Sequence, residues 1–136
     1  TAFYGTLAVE AGVLRFAKAG HVCPFLIRAD GSAVVLESEG IFLGMYPSET
    51  YEEKEVNLQP GDRLVLFTDG MTEVRNSHSE MFGEDRLVDC LVASKHQTVQ
   101  VAVETVFKTI NEFSDHKPSR DDQTLILIDY MPPNAS

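Results

Sequence analysis

Three aspartates at two predicted strand boundaries are the residues in this sequence whose type and spacing could do chemistry. Asp69 closely follows an almost continuously apolar run over residues 63–67, whereas Asp121 and Asp122 directly precede a second apolar run over residues 123–128. If the two runs form neighbouring antiparallel strands, about 4.8 Å apart, the end of one meets the beginning of the other. Carboxylates held that close repel unless a cation neutralises them, and their hard oxygens suit Mg²⁺ or Mn²⁺.

The same residues have a second interpretation that involves no metal. Asp-Gly is a common turn dipeptide, and Asp is common in the loop before a strand, so Asp69-Gly70 and Asp121-Asp122 are also typical of ordinary turns. The metal interpretation depends on strand adjacency, which the spacing assumes and does not show. On spacing alone both interpretations stay open.

Composition limits the class of protein that can position these residues. A length of 136 residues predicts one domain, and 43% hydrophobic with 24% charged residues is a globular composition. The net charge of −10 argues against nucleic-acid binding, which needs clustered Lys and Arg. No apolar run reaches the ~20 residues that span a bilayer, so we expect no membrane insertion. Cys23 and Cys90 stand in apolar surroundings and predict small core residues in a reducing, cytoplasmic compartment.

Hydrophobic periodicity predicts a strand-rich first half and a helical second half. Alternating or continuous apolar patterns predict strands over residues 3–9, 13–18, 24–28, 33–36, 50–58, 63–67 and 123–128. Asp30-Gly31 predicts a hairpin turn, and the polar stretch 71–83 predicts a long loop. Helical spacing predicts helices over 85–93 and 98–113, the second capped by Thr98.

An ordered series of short motifs carries a family resemblance. The sequence resembles the C-terminal part of a metal-dependent serine/threonine phosphatase domain of the SpoIIE/RsbU type, within the phosphatase 2C-like (PPM) superfamily. The motifs, in chain order, are Ala19-Gly20-His21 with Pro24, Gly40-Ile41-Phe42-Leu43-Gly44, Pro60-Gly61-Asp62, Phe67-Thr68-Asp69-Gly70-Met71-Thr72-Glu73, Phe82-Gly83 and Asp121-Asp122-Gln123-Thr124. The set is much more specific than any member, and it spans nearly the whole chain.

The resemblance implies a fold and a metal centre. The expected fold is α+β, an α-β-β-α sandwich of two antiparallel sheets flanked by helices, with residues 1–131 in the domain and 132–136 as a tail. It implies a binuclear Mn²⁺ or Mg²⁺ centre with Asp69 and Asp121 as ligands. Ser119-Arg120-Asp121 resembles the segment before a metal aspartate elsewhere in the superfamily, which favours Asp121 over Asp122 as the direct ligand. Asp122 would then act through water or by contacting a ligand residue. Residues 71–82 would form a variable flap near the substrate.

The resemblance also implies an activity. The reaction would be hydrolysis of phosphoserine or phosphothreonine on a regulatory protein, of the anti-sigma-factor-antagonist type found in bacterial partner-switching signal transduction. Water activated by the cations would attack phosphorus directly, so no serine or cysteine nucleophile is assigned. The alternative is a non-catalytic β-sandwich module that binds a regulatory protein.

One departure from the family limits what this chain can do alone. The glycine-rich Gly-Asp-x-x-Gly-His-Gly segment, whose Asp contacts both metals in the family, is not in the sequence. We therefore expect an incomplete domain that lacks its N-terminal part, is inactive by itself and self-associates through exposed sheet edges. The roles of His21, His78, Glu73 and the basic run of His116, Lys117 and Arg120 stay open between substrate or water contacts and ordinary surface positions.

Overall fold

A computed structural model describes residues 1–132. Most of the tail predicted over 132–136 therefore lies outside the described residues. The strands are β1 (Ala2–Ala8), β2 (Val13–Ala19), β3 (Phe25–Ile27), β4 (Ala33–Val35), β5 (Glu53–Asn57), β6 (Arg63–Phe67) and β7 (Leu125–Asp129). The helices are α1 (Gly83–Ala93) and α2 (Val99–Phe113), and a 3₁₀ turn covers Asp69–Met71.

The strands form two antiparallel sheets. One has three strands in the order β1-β2-β5, and the other has four in the order β4-β3-β6-β7. The predicted hairpins β1–β2 and β3–β4 are both present, and β5 is an edge strand as its interleaved polar residues predicted. The expected fold of two packed antiparallel sheets with helices is confirmed.

Two hydrophobic clusters hold the layers together. Between the sheets lie Leu14 and Phe16 from β2 and Leu26 and Leu64 from the four-stranded sheet, with Tyr130. The other face of the four-stranded sheet packs under α1 and α2 through Phe25, Val65, Phe67, Leu91 and Val106. Because β6 contributes to both clusters, its residues are almost all buried, as its continuous apolar run predicted. Within residues 1–132, both helices cover the four-stranded sheet, and none covers the outer face of the three-stranded sheet.

The helices follow the predicted pattern with small shifts. Thr98 caps α2 by accepting a hydrogen bond from the Val101 N–H at 3.4 Å, and α1 begins two residues earlier than predicted. No helix among residues 1–132 is long and apolar enough to cross a bilayer.

The stretch 71–83 is more ordered than its polar composition predicted. It opens with the 3₁₀ turn and closes on a bridge between Arg75 and Met81, and both Met71 and Phe82 are buried. Its charged residues are exposed, while these two apolar side chains anchor the segment against α1 and α2. The run 41–45, in contrast, is apolar in sequence but not buried, since Phe42, Leu43 and Met45 are exposed.

Candidate metal centre

The pairing of β6 with β7 brings the two aspartate motifs to one edge of the sandwich. The strands are antiparallel neighbours, and Phe67 and Leu125 are the last pair in register. Asp69 lies two residues beyond that pair, and Asp121 lies four residues before it along the other strand. The strand adjacency on which the metal interpretation depends is therefore confirmed.

Hydrogen bonds beyond the ladder fasten the two segments together. The Thr68 N–H donates to the Thr124 carbonyl at 3.1 Å, and the Thr124 N–H donates to the Thr68 hydroxyl at 3.0 Å. The same hydroxyl donates to the Asp122 carbonyl at 3.1 Å, and the Gln123 amide donates to the Gly70 carbonyl at 3.0 Å. The two loops thus form one hydrogen-bonded junction, so the aspartates are held at fixed backbone positions.

A close backbone contact explains why residue 70 is a glycine. Gly70 is buried, and a Cβ at this position would overlap the Asp122 carbonyl oxygen and lie 2.9 Å from the carbonyl carbon of that residue. The Asp-Gly dipeptide is therefore required here by a close approach of two backbones.

The three carboxylates are exposed at this junction. Asp69 Oδ1 accepts the Gly70 N–H at 3.0 Å, and Asp121 Oδ1 accepts the Asp122 N–H at 2.8 Å. Asp69 and Asp121 therefore each hold one oxygen against the N–H of the following residue. Ser119 holds the Asp121 peptide from both sides, accepting its N–H at 3.3 Å and donating to its carbonyl at 2.7 Å.

The carboxylates at the junction fit a hard divalent cation in their chemistry. Exposed carboxylate oxygens are the ligands that Mg²⁺ and Mn²⁺ prefer. Within residues 1–132, however, no group of three or more His, Cys, Asp or Glu side chains is arranged to hold a metal ion. The ligand roles of Asp69, Asp121 and Asp122 stay predictions.

The structure also places other residues considered from the sequence. The His21 ring is hydrogen-bonded to the Thr1 hydroxyl at 3.1 Å, and Glu73 is exposed while its N–H donates to the Asp69 carbonyl. Cys23 and Cys90 are free and half-buried. Burial raises the pKa of the Cys23 thiol above its usual 9.0, which keeps it protonated and unsuited to nucleophilic attack.

Sequence reasoning missed the contact that fixes the flap, residues 71–82. Asp115, just after α2, accepts the Ser77 N–H at 3.0 Å, and Asn76 Oδ1 accepts the N–H groups of His78 and Glu80. An Asn in a polar loop is a known signal for such a turn. The pairing of Asp115 with Ser77 has no local signal, because 38 residues separate them.

Comparison with known proteins places the chain in a family. The model for stage II sporulation protein E (SpoIIE) matches residues 1–131. Protein IcfG of Synechocystis sp. is 29% identical over 128 residues, and phosphoserine phosphatase RsbU of Bacillus subtilis is 28% identical over 131 residues. Each alignment covers 94% of this chain, which spans only 20% of IcfG and 38% of RsbU.

A solved structure has the same fold. The phosphatase domain of SpoIIE from Bacillus subtilis, from a manganese-presoaked crystal, superposes over 100% of this chain and 58% of its own with a TM-score of 0.76 and 17% identity. The two-sheet architecture and the ordered motifs thus agree with the match of the family model over nearly all of the sequence. The chain belongs to the SpoIIE family.

Proposed function

We propose that this chain forms the C-terminal part of a metal-dependent protein phosphatase domain that hydrolyses phosphoserine or phosphothreonine on a regulatory protein. The observation that carries the proposal is the junction at which Asp69 and Asp121 project from adjacent strand ends. Support also comes from the relative named a phosphoserine phosphatase and from the manganese-soaked structural relative.

In this proposal Asp69 and Asp121 would hold Mn²⁺ or Mg²⁺, and Asp122 would act through water. A divalent cation bound there supplies activated water near neutral pH and neutralises phosphate charge. The chain's own contribution is positional. Thr68 and Thr124 lock the strand ends, and the Gly70 contact keeps the Asp69 turn against Asp122. Fixed backbone positions limit the rearrangement needed when the ion binds, which favours catalysis by preorganisation.

The partner in this proposal is a phosphorylated regulatory protein of the anti-sigma-factor-antagonist type, in a cytoplasmic partner-switching pathway. The family resemblance and the similarity to RsbU support that choice. A non-catalytic interaction module on the same fold is the alternative, since the chain spans a minor part of both curated relatives.

The test of the enzymatic role uses the full-length protein. Asp69→Asn and Asp121→Asn should each reduce Mn²⁺-dependent phosphate release from a phosphoserine substrate by at least about 100-fold, because each removes an anionic ligand. Asp85→Asn, an exposed aspartate on α1, is the matched control and should keep wild-type turnover. Circular dichroism checks that all variants fold. Normal turnover in the Asp69 variant would remove Asp69 from the site.

A second measurement separates the two functions without turnover. Mn²⁺ broadens NMR signals of nearby amides, so titrating the 136-residue chain should broaden Gly70 and Asp122 before amides of α1. The isolated chain should release phosphate very slowly or not at all. Uniform broadening in the NMR titration would favour the interaction module. Turnover by the isolated chain at rates typical of enzymes would show that the ligand set is misplaced.

A further inference from the structure

A concave site lies beside the candidate metal centre. A pocket of about 410 Å³ opens between the second half of α2, the loop 114–119 and the start of the flap. Residues that line it include Val74, Phe107, Ile110, Lys117, Ser119 and Gln123. Its size is in the range of pockets that bind small ligands or single side chains.

Two residues that line the pocket also form hydrogen bonds at the aspartate junction. Gln123 lines the pocket and donates its amide to the Gly70 carbonyl. Ser119 lines it too, and its hydroxyl contacts the backbone of Asp121. A peptide whose phosphorylated residue sits at Asp69 and Asp121 would therefore pass this pocket within a few residues, at about 3.3 Å per extended residue.

The lining has one apolar side and one cationic side. Val74 and Phe107 are half-buried and Ile110 is buried, so the interior surface is aliphatic and aromatic. Lys117 is exposed and makes no salt bridge within 4.0 Å among the described residues. Its charge also acts on the nearby Asp115 carboxylate. In a chain of net charge −10, a cation without a salt bridge beside a site for a phosphorylated ligand offsets local repulsion and attracts an acidic group.

The loop that carries Lys117 is held in one conformation. Asp115 and His116 both have positive φ, 56° and 59°, which non-glycine residues rarely adopt. The loop keeps this conformation through the hydrogen bond from Ser77 to Asp115 and a 2.8 Å contact between the Asn111 amide and the His116 ring. Lys117 is thus presented by a preorganised segment, which lowers the entropy lost on binding.

We propose that this pocket is a side-chain subsite for the phosphoprotein, taking an apolar residue near the phosphoserine, with Lys117 facing an acidic residue next to it. The assignment rests on the proposed function for the identity of its ligand as a phosphoprotein. It gives the domain a means of choosing among phosphoserines by flanking sequence, because the phosphate itself is common to all of them.

The test uses synthetic phosphoserine peptides and the isotopically labelled 136-residue chain. One peptide carries Leu and Glu in adjacent positions close to the phosphoserine, a second replaces Leu by Ala, and a third replaces Glu by Gln. We expect saturable NMR shifts at Val74, Phe107 and Lys117 with the first peptide. Each replacement should weaken binding at least about threefold.

Matched protein variants test the cation. Lys117→Gln should weaken the first peptide at least about threefold and abolish the preference for Glu over Gln. Lys108→Gln removes the same charge from an exposed position on α2. It should change neither the affinity for the first peptide nor the preference for Glu over Gln. No shifts at the pocket, shifts elsewhere, or equal effects of the two variants would overturn the subsite.

The outcomes also separate the subsite from the proposed function. If the full-length protein hydrolyses the peptides without preference for Leu or Glu, the phosphatase role stands and the subsite is wrong. If the pocket binds the first peptide but the full-length protein releases no phosphate from it with Mn²⁺, the subsite stands and the phosphatase role fails.

Discussion

Arg63 and Asp129 form a bidentate ion pair directly across the β6–β7 ladder. Arg63 Nε lies 2.6 Å from Asp129 Oδ1, and Nη2 lies 2.9 Å from Oδ2. They are the register pair at one end of the ladder, and Phe67 with Leu125 is the pair at the other end. The ion pair thus fixes the register that brings Asp69 to Asp121, because a slip of one residue would turn every side chain of β7 to the opposite face.

Replacing Arg63 should destabilise the fold strongly. Arg63 is 3% exposed, and its guanidinium also donates to the carbonyls of Ser94 and Gln97 between the helices. Arg63→Ala leaves these acceptors and Asp129 without a partner, and we expect a loss of about 2–4 kcal/mol in the free energy of unfolding. Urea denaturation measures it.

The control for this prediction is the exposed pair Arg15–Glu55 in the other sheet. Arg15→Ala should leave the free energy of unfolding almost unchanged, because solvent screens exposed ion pairs. Equal losses for the two variants would contradict the role given to Arg63.

Adding one methyl group at Gly70 should disturb the aspartate junction. Since Cβ would overlap the Asp122 carbonyl, Gly70→Ala must push the two loops apart, at a cost of about 1–3 kcal/mol in unfolding free energy. In Gly5→Ala the new Cβ would meet side-chain atoms of Leu14 and Phe3 at 3.3 Å, so the cost should stay below about 1 kcal/mol. Thermal unfolding of both variants makes the comparison, and an unchanged Gly70 variant would disprove the close approach.

The contact between the flap and the end of α2 should be visible in a pH titration. Hydrogen bonds from the Ser77 side chain and backbone lower the pKa of Asp115 below its ordinary 3.8. A lowered carboxylate pKa means that the contact stabilises the fold above about pH 3.8, and that this contribution is lost as the pH falls through the lower folded-state value.

Ser77→Ala keeps the backbone donor and removes the hydroxyl, so the pKa of Asp115 should rise toward 3.8 in an NMR titration of side-chain carboxyls. Asp30 is the internal control, because hydrogen bonds from Ser32 lower the pKa of its carboxyl in the same way. If Asp115 titrates identically in both proteins, the Ser77 hydroxyl does not bond to it.

The outer edge of β7 should mediate self-association of this chain. β7 ends the order of the four-stranded sheet among the described residues, and Ile126 and Ile128 on it are 50% and 43% exposed. Open strand edges with apolar side chains pair with other chains. Ile128→Lys should therefore reduce the concentration-dependent dimer seen by sedimentation velocity.

Val101→Lys is the control for that experiment. Val101 is also 43% exposed but lies on α2, so its replacement should leave the dimer unchanged. A wild-type chain that stays monomeric at all concentrations would refute the expected self-association.

The sequence by itself determined the elements, because periodicity and turn chemistry are local. Val13 to Lys18 alternates as a half-buried strand, Asp30-Gly31 turns β3 into β4, and Thr98 caps α2, all from patterns within a few residues. The ordered motifs around Asp69 and Asp121 likewise identified the family. A local pattern was misleading in one place. The polar stretch 71–83 predicted a long loop, but it is anchored by buried Met71 and Phe82.

Only the tertiary structure decided which distant residues meet. The 51 residues between Asp69 and Asp121 carry no signal of the β6–β7 register, which the Arg63–Asp129 pair and the Thr68–Thr124 hydrogen bonds fix. The same holds for the Lys117 pocket and the Ser77–Asp115 contact. Such pairings are chosen by side-chain packing between elements, and their energies depend on neighbours that a linear pattern does not contain.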